Sequence, residues 1–249
     1  MSASTGFGQG TAFEENYRGK VCIELEDYDC AIASFTRAIA LDAKYFEAYA
    51  GRADARFAKK DIDGAIADLT KAIEIKPDYA ELYNNRGFVR AAKKDLDGAL
   101  DDYTKAISLK PNVEEFYSNR SRVRFAKSEW DGLIADLSKV IEFDPKDAIS
   151  IANRGYARNM KGDHDGAIAD FTKALEFKPD HAYAYYYRGL ARMDKKDFNG
   201  AVADLTKSLD IEPAYADNYR KRAVAYRALK KISLAIADEK KATELEKKP

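Results

Sequence analysis

Apolar and small side chains fall at helical spacing along this chain, and the same stripes return every 34 residues. Pro77, Pro111, Pro145, Pro179 and Pro213 mark the period. With that Pro set as position 32, repeats begin at Ala12, Phe46, Ala80, Glu114, Ala148, Ala182 and Ala216, and seven of them run from 12 to 249 without insertion or deletion. Positions 4, 8 and 11 lie on one helical stripe, and positions 20, 21, 24, 27 and 28 on a second. Position 4 is Tyr49, Tyr83, Tyr117, Ile151, Tyr185 and Tyr219. Position 8 is small, as in Gly19, Ala53, Gly87, Ser121, Gly155, Gly189 and Ala223. Position 24 is bulky, as in Phe35, Leu69, Tyr103, Leu137, Phe171 and Leu205. Small residues at positions 8, 20 and 27 let two helix backbones approach closely. The pattern predicts two helices per repeat, near positions 2–14 and 17–28, and no strand.

Polar residues mark where these helices begin and end. The KKD runs at 59–61 and 93–95 are short turns closing on an Asp, a good N-cap for the second helix. A further acid follows at Asp63 and Asp97, favourable in the first helical turn. The Pro at position 32 stops that helix. The D-x-D-G strings at 61–64, 95–98 and 163–166 share two acids with a calcium loop. An Ala-rich helix follows at once where further ligands would be needed, so they are assigned to capping. Each repeat is then a helical hairpin that cannot bury its apolar faces alone, and stacked neighbours complete the core.

This aromatic–small–Ala–aromatic–Ala–Pro pattern resembles the tetratricopeptide repeat over residues 12–249. The resemblance implies an all-α fold, a right-handed superhelical solenoid of stacked antiparallel helix pairs. Its repeats would be 12–45, 46–79, 80–113, 114–147, 148–181, 182–215 and 216–249, preceded by a flexible leader at 1–11. Glu15, Glu239 and Thr243 replace apolar residues in the outermost repeats, which reads as capping of the array.

Composition narrows the function. Lys and Arg number 42, as do Asp and Glu, so no basic excess marks a nucleic-acid binder. No run reaches the roughly 18 apolar residues of a membrane helix. The small, polar N-terminus MSASTGFGQGT lacks the marks of a secretory signal, and the default compartment is cytoplasmic. Two Cys and two His cannot build a disulfide framework or a local zinc site. His164 fills a slot that is aromatic or aliphatic in the other repeats. No nucleophile–base set or phosphate loop stands out, so neither an enzyme nor a cofactor is expected.

Antiparallel pairing of the two helices places position p near position 31 minus p. Cys22 and Cys30 then lie nearly opposite, and they are expected as two buried, reduced thiols. The same rule sets Arg at position 7 (Arg18, Arg52, Arg86, Arg120, Arg154, Arg188, Arg222) beside Asp at position 23 (Asp68, Asp102, Asp136, Asp170, Asp204, Asp238). An Arg–Asp ladder holding the hairpins is expected.

The remaining face of the first helices carries positions 2, 5, 6, 9, 12 and 13, which by the resemblance line a concave groove for an extended peptide or a helix. Asn85, Asn119 and Asn153 recur at position 6, and an amide can both donate to and accept from a peptide bond. Phe88, Arg122 and Tyr156 follow at position 9, with Tyr183, Tyr186 and Tyr187 nearby. Aromatic and Arg groups are usual interface anchors. Glu47, Glu81 and Glu115 at position 2 add a mild bias toward a basic partner. The two-Lys, Arg and Asn carboxylate clamp of chaperone-tail binders is missing. The expectation is a non-enzymatic scaffold that binds a peptide or helix of another protein, with no nucleic-acid or membrane partner. The alternative is a structural protein that self-assembles as a homo-oligomer through its ends or groove.

Overall fold

The computed structural model describes residues 10–247. Among the described residues there are fourteen α-helices and no strand. They come as pairs: α1 (Ala12–Glu24) with α2 (Tyr28–Leu41), α3 (Phe46–Ala58) with α4 (Ile62–Ile75), and α5 (Ala80–Ala92) with α6 (Leu96–Leu109). Then follow α7 (Glu114–Ala126), α8 (Trp130–Phe143), α9 (Ala148–Met160), α10 (His164–Phe177), α11 (Ala182–Asp194), α12 (Phe198–Ile211), α13 (Ala216–Ala228) and α14 (Ile232–Glu246). The second helix of each repeat runs two residues or more beyond the predicted position 28. Pro at position 32 forces only its predecessor out of the helical region. Lys76, for example, is a C-cap with φ −132° and ψ 75° just before Pro77. Residues 1–9 of the expected leader lie outside the described residues, and Thr11 forms a capping box with Glu14 at the start of α1.

The described residues form two compact bodies that divide between Val123 and Arg124, within α7. In the first, Phe35 lies against Gly19 and Gly51, where a Cβ would come within 2.6 and 2.5 Å of its ring. In the second, Gly189 leaves room for Leu205, whose Cγ would stand 3.1 Å from an added Cβ. Small residues at position 8 (Gly19, Gly189) and at position 6 (Gly51) thus make space for the bulky residue at position 24.

The D-x-D-G strings cap, as expected. Asp61, Asp95 and Asp163 accept from the backbone N–H of Gly64, Gly98 and Gly166 at 3.0, 3.1 and 2.9 Å. Gly gives the carboxylate room there, since a Cβ on Gly64 would stand 2.2 Å from Asp61 Oδ2, while Cys30 takes the same cap from Asp27 at 3.0 Å in the first repeat. The turn before each cap needs one left-handed residue. Gly162 supplies it at φ 83°, while Lys60, Lys94, Ser128 and Lys196 adopt φ between 58° and 68°.

The Arg–Asp ladder forms and is richer than expected. Arg52, Arg86, Arg154, Arg188 and Arg222 each grip the position-23 Asp of their own hairpin through Nε and Nη2 at 2.7–2.9 Å. A second Arg at position 11 also reaches that carboxylate: Arg56, Arg90, Arg158 and Arg192 donate to it at 2.7–2.8 Å. In the fourth repeat Arg124 makes the same contact with Asp136 at 2.8 Å. Asp68, Asp102, Asp170 and Asp204 are almost fully buried, and two arginine arms compensate the desolvation of each.

One expectation is corrected. Cys22 and Cys30 are not two thiols but a disulfide, with Cα atoms 5.8 Å apart. The hairpin rule had set them opposite one another.

Candidate functional site

The predicted groove face divides between the two bodies. In the first, it begins with amides on α5 and α7. Asn84 is 4% exposed and its Nδ2 donates to Glu115 at 3.2 Å. Asn119, 8% exposed, donates to Asn84 Oδ1 at 3.0 Å, and Arg122 donates to Asn119 Oδ1 at 3.4 Å. The amide of Asn119 is therefore largely committed to its neighbours. Asn85 is half-buried and lines two adjoining cavities.

The smaller cavity, about 270 Å³, is walled by Asp54 and Phe57 of α3, by Asn84, Asn85, Phe88 and Val89 of α5, and by Glu115 and Asn119 of α7. Phe88 is 47% exposed and meets Phe57 edge to face, with ring centroids 5.4 Å apart. The larger, about 440 Å³, extends from Asp54 and Asn85 toward Lys20 and Glu24 of α1, Glu47 of α3 and Glu81 of α5. Glu81 accepts from Lys110 at 2.7 Å, and that hydrogen bond holds its carboxyl below the usual range. Asp54 was not foreseen. It touches solvent at the rim, but the groove walls crowd its carboxyl, and the desolvation raises its pKa to about 6. Among the described residues no basic side chain is paired with it. The signal that could have found it is its position: it stands at position 9, as do Phe88, Arg122 and Tyr156.

The face of the second body is aromatic. Tyr156 of α9 stands 4.9 Å from Tyr187 and 6.3 Å from Tyr183, both on α11, whose rings are 4.4 Å apart. Phe125 and Trp130 continue the cluster, 5.5 and 5.9 Å from Tyr156. Burial, and then neighbouring phenols, push the Tyr183 and Tyr187 hydroxyls above their usual pKa, so they remain protonated donors. Asn153 is half-buried on α9. Tyr186 differs from the rest: it is buried, its hydroxyl donates to Asp217, and its ring packs against Tyr187 and Tyr215. It occupies position 5, as the buried Asn84 does, and ties α11 to α13.

His164 Nδ1 lies 2.8 Å from Asn159 Oδ1. Among the described residues no three His, Cys, Asp or Glu side chains converge to hold a metal ion, and no helix is long and apolar enough to cross a membrane.

Comparison with known proteins matches this architecture. A family model described as a TPR repeat matches residues 53–94 and 155–195, and two described as the tetratricopeptide repeat match 80–113 and, separately, 18–45 and 182–215. Among solved structures, MamA is 25% identical with a TM-score of 0.65, over 69% of this chain and 94% of that one. YrrB, described as a TPR protein with an unusual peptide-binding site, is 22% identical with a TM-score of 0.68, over 83% and 97%. The C-terminal part of a TPR repeat-containing protein from Cytophaga hutchinsonii is 19% identical with a TM-score of 0.77, over 94% and 96%. No curated protein matches the chain in sequence.

Proposed function

We propose that this chain, which belongs to the tetratricopeptide-repeat family, is a non-enzymatic scaffold that binds a segment of another protein on the groove face of its first-of-pair helices. The observation that carries the reading is the cavity around Asp54, Asn85 and Phe88. The core takes up the apolar stripes and the ladder takes up the Arg and Asp rows, yet this face keeps an unpaired carboxylate, an amide and an exposed ring. In the second body Tyr156, Tyr183 and Tyr187 offer aromatic area with polar tips, a combination suited to protein interfaces. Balanced overall charge gives a polyanion no general attraction.

Binding to an array of unstructured peptides, followed by competition in solution, tests the reading. Asn85→Ala with Phe88→Ala, or Tyr156→Ala with Tyr187→Ala, should weaken captured peptides while leaving the helical signal unchanged. Peptide capture unaltered by both pairs would place the site elsewhere.

A second reading, self-association, is supported by Ile232, Leu234 and Ile236 of α14, which are 47, 47 and 55% exposed. Light scattering across a hundredfold range of concentration tests it. A mass fixed at one chain throughout would overturn it.

A further inference from the structure

We infer that the cavity between α3 and α5 is built for an arginine of the partner segment, with the guanidinium on Asp54 and the side-chain stem against Phe57 and Phe88. This rests on the peptide-binding reading above and names what the first body would recognise.

Three features support it together. First, Asp54 is the carboxylate shared by the two adjoining groove cavities, and no basic side chain among the described residues is paired with it. The buried acids Asp68 and Asp102 of this body have two arginine arms each, whereas the more open Asp54 has none. Second, Phe57 and Phe88 form an edge-to-face pair beside it, with Phe88 half open to solvent. A flat guanidinium can lie on an aromatic face while donating two parallel hydrogen bonds to a carboxylate; an ammonium can do only the second. Third, the half-buried Asn85 amide lies at the junction of the two cavities, where it can bond the partner's backbone.

The charge around the cavity agrees. Glu24, Glu47 and Glu115 face this region from α1, α3 and α7, while the acid of Glu81 is offset by Lys110 and Lys20 is the one basic side chain among the described cavity walls. An arriving cation is attracted and an arriving acid repelled. Partial desolvation by the groove walls raises the Asp54 pKa to about 6, so a bound guanidinium also lowers it, and affinity rises from pH 5 to pH 7.5.

The experiment uses the whole chain and an array of twelve-residue peptides in which one central position is Arg, Lys, Gln or Glu in an otherwise fixed set of sequences. The expected result is a preference in the order Arg, Lys, Gln, Glu, about tenfold from Arg to Gln. Asp54→Asn should abolish that preference while the protein keeps its helical signal, and Asp54→Glu should retain most of it. Peptides that bind equally well whatever the central residue would overturn the inference and leave the peptide-binding reading standing. So would an Arg preference that persists in Asp54→Asn. Absence of any peptide binding would overturn both.

Discussion

Arg86 and Thr70 join two successive repeats through one hydrogen bond, Nη1 to Oγ1 at 3.1 Å. The other arms of the same guanidinium hold Asp102 at 2.9 and 2.7 Å inside its own hairpin. The inter-repeat bond recurs at Arg52 with Thr36, Arg120 with Thr104, Arg188 with Thr172 and Arg222 with Thr206, and Ser138 takes the hydroxyl role for Arg154. A side chain immobilised once therefore closes a hairpin and fastens it to its predecessor. Stability of a stacked array depends on such nearest-neighbour terms.

Removing either partner should have very different costs. Asp102→Ala strands two guanidinium groups, those of Arg86 and Arg90, and is expected to destabilise by about 3–5 kcal/mol. Thr70→Val keeps the shape and loses only the inter-repeat bond, at about 0.5–1.5 kcal/mol. Urea unfolding of both variants checks this. An Asp102→Ala loss no larger than that of Thr70→Val would show that the buried triad contributes little.

Features that recur in register were legible in the sequence: the period, the Asp caps, the pairing of position 7 with position 23. What escaped was either hidden by an assumption or occurs once. The second arginine arm, at Arg56, Arg90, Arg158 and Arg192, sits on a stripe read as apolar. A long aliphatic stem can cross such a stripe and still deliver its charge to a carboxylate beyond. Asp54 has no counterpart in other repeats, so a repeat pattern dilutes it. Asn84 and Asn85 are adjacent in sequence yet turned about 100° apart on the helix, which puts one amide between helices and the other on the cavity.

The turns between paired helices hold left-handed residues that are not glycine. Lys60 has φ 67° and Lys94 φ 68°. That conformation costs an L-residue roughly 1–2 kcal/mol, offset in part by the extra chain entropy that Gly loses on folding, about 0.5–1 kcal/mol. Lys60→Gly and Lys94→Gly are expected to stabilise by about 0.5–1 kcal/mol each, and Gly162→Lys to destabilise by a similar amount. Thermal melts of the three variants decide it; a destabilised Lys94→Gly would contradict the strain argument.

The pH dependence of Asp54 has a definite sign. Its folded-state pKa, about 6, lies above the unfolded value near 4, so the folded protein binds the proton more tightly. The resulting penalty on the folded state is absent at pH 3.5, grows between pH 4 and pH 6, and is complete above that. Asp54→Asn removes an ionisation that the groove disfavours. It is expected to raise the melting temperature over wild type at pH 7.5 and to leave it unchanged at pH 4. A variant that melts lower than wild type at pH 7.5 would mean that Asp54 has a stabilising partner.

The position-6 asparagines should separate into two classes when replaced. Asn119 is buried and donates to Asn84, which in turn donates to Glu115. Truncating it leaves the Asn84 oxygen without that donor, and Asn119→Ala is expected to cost about 1–3 kcal/mol of stability. Asn85 has one side on the cavity and, among the described residues, no comparable tie, so Asn85→Ala is expected to change stability by less than about 0.5 kcal/mol. Its effect should fall on partner affinity instead, by roughly 1 kcal/mol for one lost backbone hydrogen bond. Denaturant curves and peptide titrations on the two single variants separate the roles. The amide row would be a uniform binding ladder only if both variants kept full stability and lost affinity equally. The buried link between Asn119 and Asn84 argues against that outcome, because a side chain already bonded to its neighbour must break that bond before it can serve a peptide.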